Sequence, residues 1–152
     1  MGEVILLALQ LFVVKEIQKG NGAVIVIFEE GKRGRLLNSH KDYDYYLRLA
    51  QRSLERKHPV GVSLAESDMI VEMMRADNDI AAELVEHDKE RMKVCFQGHD
   101  GIFFLRQDHP HFKRVSKVIN RSIKEKKRIW FVASKPTLVL VDVKLYESIE
   151  EK

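Results

Sequence analysis

The residues best suited to chemistry are histidines with carboxylates beside them. Six histidines are present, and two of them head similar stretches, His40-Lys41-Asp42 in the first half and Asp108-His109-Pro110-His111 in the second. If His40, Asp42, His109 and His111 converged, imidazoles and a carboxylate could hold a divalent metal or form an acid–base pair. Spacings of His-x-Asp and His-x-His do not by themselves specify such a site, which needs three or four donors meeting at one point. The competing reading is structural. Ser39 and Asp108 would cap helices, and His40 and His109 would occupy exposed first turns, where the positive end of the helix dipole opposes a bound cation. The structural reading is favoured, and no metal or other cofactor is expected.

Nucleophilic chemistry has less to build on. Cys95 is the single cysteine, placed between Val94 and Phe96 in a β-type stretch where a thiol behaves as a small hydrophobe. Neither a Gly-x-Ser-x-Gly elbow nor a His-Glu-x-x-His run occurs. Gly20-Asn21-Gly22 and Gly31-Lys32-Arg33-Gly34 fit hairpin turns, not a phosphate loop or dinucleotide fingerprint. No constellation carries a catalytic assignment, so an enzyme or metal site at the helix starts is only the third functional reading.

The most unusual surface is basic. Between His109 and Arg128 the chain holds Lys113, Arg114, Lys117, Arg121, Lys124, Lys126, Lys127 and Arg128 against Glu125 alone, a net of +7 in a chain whose total is +3. Lys113, Lys117, Arg121 and Lys124 recur at helical spacing opposite an apolar face, a stripe suited to phosphate contacts. Trp130 follows and could stack a base. In the other direction, residues 76–90 carry six acidic residues against Lys89, a net of −5, and read as a solvated acidic connecting helix. Opposite charges in two helices make self-association the simplest account of both. The leading functional expectation is therefore a non-enzymatic binding or assembly module, a homodimer or a partner-docking protein. Nucleic-acid or polyanion binding through helix 109–128, using Lys113, Arg114, Lys117, Arg121, Lys124, Lys127, Arg128 and Trp130, is the alternative.

These residues must be positioned by a single ordinary domain's worth of chain. With 152 residues, 45% hydrophobic and 32% charged, the composition is globular and has enough apolar material for a core. One cysteine excludes an intrachain disulfide and a thiolate zinc cluster and points to a reducing, cytoplasmic setting. The apolar run 4–14 (VILLALQLFVV) lacks a basic n-region and a small-residue cleavage site, and it is shorter than the roughly 20 residues of a membrane span. It reads as a buried strand, with a helix over 4–18 as the other possibility, and no membrane partner is expected.

Further along, strand 23–28, helix 40–57, strands 60–64 and 69–74, strands 92–96 and 102–105, helix 109–128, and strands 129–133 and 138–143 follow from periodicity and turn signals. A shift of 69 positions lays Leu36 on Leu105, His40 on His109, Tyr43 on Phe112, Arg52-Ser53 on Arg121-Ser122 and Met69-Ile70-Val71 on Leu138-Val139-Leu140 without a gap. This implies an internal duplication. The expected fold is α+β, with two similar hairpin-helix-hairpin units, 1–75 and 76–152, forming one compact domain. The sheet would be antiparallel, with the helices packed on one face.

Overall fold

The computed structural model describes residues 9–134 and 137–146. Residues 4–8 of the apolar run, Lys135 and Pro136 of the last turn, and the charged tail therefore lie outside the described residues. The fold is α+β, with two antiparallel five-stranded sheets and two helices among the described residues. The chain divides into two compact units after Ala76. Among the described residues no helix is long and apolar enough to cross a membrane.

In the first unit β1 (Gln10–Lys19), β2 (Ala23–Phe28) and β3 (Arg33–Leu37) form an antiparallel meander. Helix α1 (Tyr43–Arg56) follows, and then the hairpin β4 (Pro59–Leu64) and β5 (Ile70–Arg75). Strand β4 pairs with β1, so the order across the sheet is β3-β2-β1-β4-β5. A parallel bridge between Arg35 and Met69 then joins the two outermost strands, and the sheet curls into a small barrel. Strand β1 serves both halves of the barrel because a register shift between Val14 and Glu16 bends it.

Val14, Val24, Val26, Phe28, Leu36, Val60, Val62 and Ile70 point inward and share one cluster with Tyr46, Leu49 and Ala50 of α1. Gly34 is bare where β3 nears β5, since a Cβ there would lie 2.7 Å from Cγ1 of Ile70 and 2.8 Å from Cδ2 of Leu64.

The second unit has β6 (Asp77–Glu86), β7 (Arg91–Phe96), β8 (His99–Arg106), α2 (Phe112–Glu125), β9 (Arg128–Ala133) and β10 (Leu140–Leu145). Its strand order, β10-β9-β6-β7-β8, is that of the first unit read from the other edge. A parallel bridge between Phe104 and Val139 joins its outermost strands, and a register shift between Ala81 and Glu83 bends β6. Each helix ends on a lysine in the left-handed conformation, Lys57 and Lys126. A buried serine one turn earlier ties helix to sheet in each unit. Ser53 donates to the His58 carbonyl at 2.6 Å and accepts from Val14 N–H at 2.9 Å. Ser122 donates to the Lys127 carbonyl at 2.6 Å and accepts from Ala81 N–H at 2.8 Å.

Two expectations are corrected. Residues 76–90 do not form an acidic helix, because 77–86 is strand β6, paired with β7 on one side and β9 on the other. The helical spacing of Ile80, Leu84 and His87 does not mark one face: Asp79 and Ala81 point inward on either side of Ile80, Leu84 packs against the core beyond the bulge, and His87 lies against the outward Phe104. Each unit is also larger than a hairpin-helix-hairpin, since three strands precede the helix. The helices pack into the core of a curled sheet instead of lying across an open face.

Candidate functional site

The histidines at the helix starts are structural in a way that differs from exposed first-turn residues. His40 Nδ1 accepts the Asp42 N–H at 3.0 Å, so Nε2 carries the proton and donates to the Val71 carbonyl at 3.1 Å. In the second unit Nδ1 of the buried His109 accepts the His111 N–H at 2.9 Å, and Nε2 donates to the Val141 carbonyl. Each imidazole thus links the start of its helix to the last strand of its unit, and both ring nitrogens are occupied. Neither Ser39 nor Asp108 caps its helix. The helices start at Tyr43 and Phe112, with Asp42 and His111 at the N-cap and no side-chain cap hydrogen bond. Among the described residues no group of His, Cys, Asp and Glu is arranged to hold a metal ion.

The basic stripe is on the surface as expected. Lys113, Arg114, Lys117, Arg121, Lys124, Lys127 and Arg128 are all exposed. Several are already engaged: Arg114 with Asp142 and the Val143 carbonyl, Arg121 and Lys127 with Glu125, and Arg128 with Asn78. Trp130, however, is only 6% exposed and stacks on Tyr146 with ring centroids 5.0 Å apart. It offers no free face to a base, so the helix presents charge without a stacking surface.

A different surface of the second unit combines both. Along β7 and β8 side chains alternate, with Val94, Phe103 and Leu105 buried in the barrel. The intervening residues face outward. Lys93 lies opposite Phe104, and Arg91 opposite Arg106. Val85 of β6 continues the row on the far side of Lys93 and is 40% exposed. Phe104 is half-buried. The Arg91 guanidinium carbon sits 4.4 Å from its ring centroid, and the His87 ring packs against it at 5.2 Å. The result is an aromatic ring on a sheet face, bordered by three basic side chains.

The corresponding face of the first unit pairs Ile25 with Arg35 and Ile27 with Arg33, and it carries no aromatic ring. Cys95, also half-buried, lies on the same strand as Arg91 and Lys93. Burial pushes its thiol above the ordinary value and Glu83 adds to the shift, so it is not an activated nucleophile.

No model of a protein family matches this chain, and comparison with curated proteins and with solved structures gives no match. The reading of the site therefore stands on its chemistry.

One further pair had no signal in the sequence. At the β7–β8 turn, His99 Nδ1 bonds to the buried Asp79 at 2.6 Å, and the same carboxylate accepts the N–H groups of Gly98 at 2.8 Å and Ile80 at 2.7 Å. Asp79 belongs to the segment read as a solvated acidic helix, so its burial was hidden with the strand. Burial alone would raise the Asp79 pKa, but these hydrogen bonds outweigh it and hold the carboxyl below its ordinary value of 3.8. A lowered folded-state pKa means that the stabilisation is fully present above pH of about 4 and is lost as the pH falls through the folded value. Asp79→Asn should cost about 1–3 kcal/mol at neutral pH, because the amide nitrogen cannot accept from His99 and Gly98. Denaturant melts at a series of pH values should show that cost shrinking towards pH 3, and an equal cost throughout would contradict the role.

Proposed function

We propose that the protein binds single-stranded nucleic acid on the outward β7–β8 face of its second unit. The observation that carries this reading is the half-buried Phe104 ring on an outward sheet face flanked by Arg91, Lys93 and Arg106. An aromatic ring takes a base by stacking, while cationic side chains beside it take the phosphates, and this pairing is how single strands are held without reading their sequence. Fold-level analogy supports it. Small five-stranded Greek-key barrels of the OB type use the face of their second and third strands for oligonucleotides, and β7 and β8 are the second and third strands of this unit. The shared strand order and the paired serine and histidine ties also support descent of the two halves from one duplicated unit.

Self-association through opposed helices has no acidic helix to oppose the basic one, since residues 77–86 form strand β6, with Asp79 buried and Glu83 paired with Lys93. Nucleic-acid binding is accordingly the primary reading, with its site moved from the helix to the sheet.

Anisotropy titration of a labelled oligothymidylate tests it. Binding should be weaker for a duplex, whose bases are not free to stack, and log affinity should fall with log salt by about 0.7 per phosphate contacted. The triple variant Lys113→Gln, Lys117→Gln and Arg121→Gln should stay folded and retain most of the affinity. Loss of binding in that variant alone would return the site to the helix, and absence of binding by the unaltered protein would remove the reading.

A further inference from the structure

We propose that Asp88 and Asp108 are internal competitors for the ligand's phosphates, occupying Arg91 and Arg106 until a phosphodiester displaces them. This rests on the nucleic-acid reading above and adds a regulatory element to it. Arg91 and Arg106 are direct cross-strand neighbours, an arrangement that would be repulsive without counter-charge. Each has a carboxylate supplied by the loop adjoining its own strand. Asp88 Oδ2 accepts from Arg91 Nη2 at 3.0 Å and Nε at 3.3 Å. Asp108 takes Arg106 in a two-pronged pair, Nε to Oδ1 and Nη2 to Oδ2, both at 2.9 Å.

A phosphodiester offers the same fork-matching geometry and the same single charge as a carboxylate, so it can replace each one without leaving an arginine unpaired. The displaced carboxylates return to water at little cost, since the Asp88 and Asp108 side chains are already 42% and 67% exposed. The exchange also concerns stacking. Arg91, while held by Asp88, lies over the Phe104 ring that a base would use. A phosphate drawing Arg91 aside uncovers the ring, which couples backbone contact to base stacking.

Asp88 has a second role that the test must preserve. Its Oδ1 accepts the N–H groups of Glu90 and Arg91, both at 2.8 Å, and so shapes the β6–β7 turn. Asp88→Asn keeps that acceptor and removes the charge, and Asp88→Ser keeps a shorter acceptor should the asparagine variant fold poorly. The experiment is an anisotropy titration with labelled oligothymidylate at low salt of the unaltered protein, Asp88→Asn, Asp108→Asn, the double variant and Phe104→Ala. Glu125→Gln serves as a control that adds the same positive charge on helix α2.

Each carboxylate replacement should tighten binding by about two- to fivefold, the range set by losing a competing exposed ion pair, and the double variant should tighten it by more than either alone. Glu125→Gln should change it less. Unchanged or weaker binding in the Asp variants, with Phe104→Ala still binding more weakly than the unaltered protein, would overturn the competition and leave the site in place. An equal gain in Glu125→Gln would also overturn it, as a bulk charge effect. No binding by any of the proteins would overturn the site and the competition together.

Discussion

Phe104→Ala should weaken binding of a single-stranded oligonucleotide by about 5- to 150-fold, corresponding to the roughly 1–3 kcal/mol that one stacked base contributes. The loss should appear without unfolding, because Phe104 is half-buried and points away from the barrel cluster that holds Val94, Phe103 and Leu105. Phe104→Trp should bind at least as well as the unaltered protein, since a larger ring keeps the stacking surface. Phe104→Leu keeps much of the apolar area and should resemble alanine if stacking is the interaction. Equal affinity of the leucine and phenylalanine proteins would mean that the side chain acts only as a greasy contact.

The second large effect concerns the core beneath that face. Ile119 of α2 is completely buried in the cluster with Val115, Leu105 and Phe131, so Ile119→Ala should cost about 2–5 kcal/mol, the transfer free energy of the lost carbons plus the cavity they leave. The first unit has Ala50, also fully buried, at the position aligned with Ile119. The same core cluster holds Phe12, which packs on Phe28 with centroids 5.1 Å apart. In the second unit the strand position corresponding to Phe12 is the polar Asp79. Chemical denaturation measures the effect, and a change below about 0.5 kcal/mol would mean that the α2 face bearing Ile119 is not the packed one.

Much of the architecture was legible in the residues. Both helices, the hairpins after them and the pairing of His40 with His109 followed from periodicity and from a shift of 69 positions. Both helices were expected to start three residues early, at 40 and 109, because His40 and His109 replace the expected Ser39 and Asp108 caps by accepting backbone N–H groups through Nδ1. What escaped were strand β3, whose first residues Arg33 and Gly34 read as part of a turn, and strand β6. The bulge after Ala81 breaks the two-residue alternation that marks a strand, and Ile80 and Leu84 fall four residues apart, as they would on one helix face. Abundant alanine and glutamate around it strengthened the imitation, and only pairing with β7 and β9 overrides that local preference.

The site was missed for another reason, since its two strands were expected at 92–96 and 102–105. Arg91 and Lys93 alternate with Met92 and Val94 in a pattern that places the basic pair outward, and Phe104 and Arg106 alternate with Phe103 and Leu105 in the same way. That these two pairs are opposite one another depends on register, which no single segment reveals. The basic helix drew attention because its charges are contiguous in sequence, whereas the sheet face is assembled from positions 13 residues apart, such as Arg91 and Phe104.

The most direct measurement is a nuclear magnetic resonance titration of isotope-labelled protein with unlabelled oligothymidylate. If the account is right, the largest backbone amide shifts fall at residues 87–93 and 102–106, with the Phe104 ring resonances moved by stacking and residues 113–124 of α2 nearly still. Shifts concentrated on α2, or on the first unit, with residues 87–106 unmoved would contradict it.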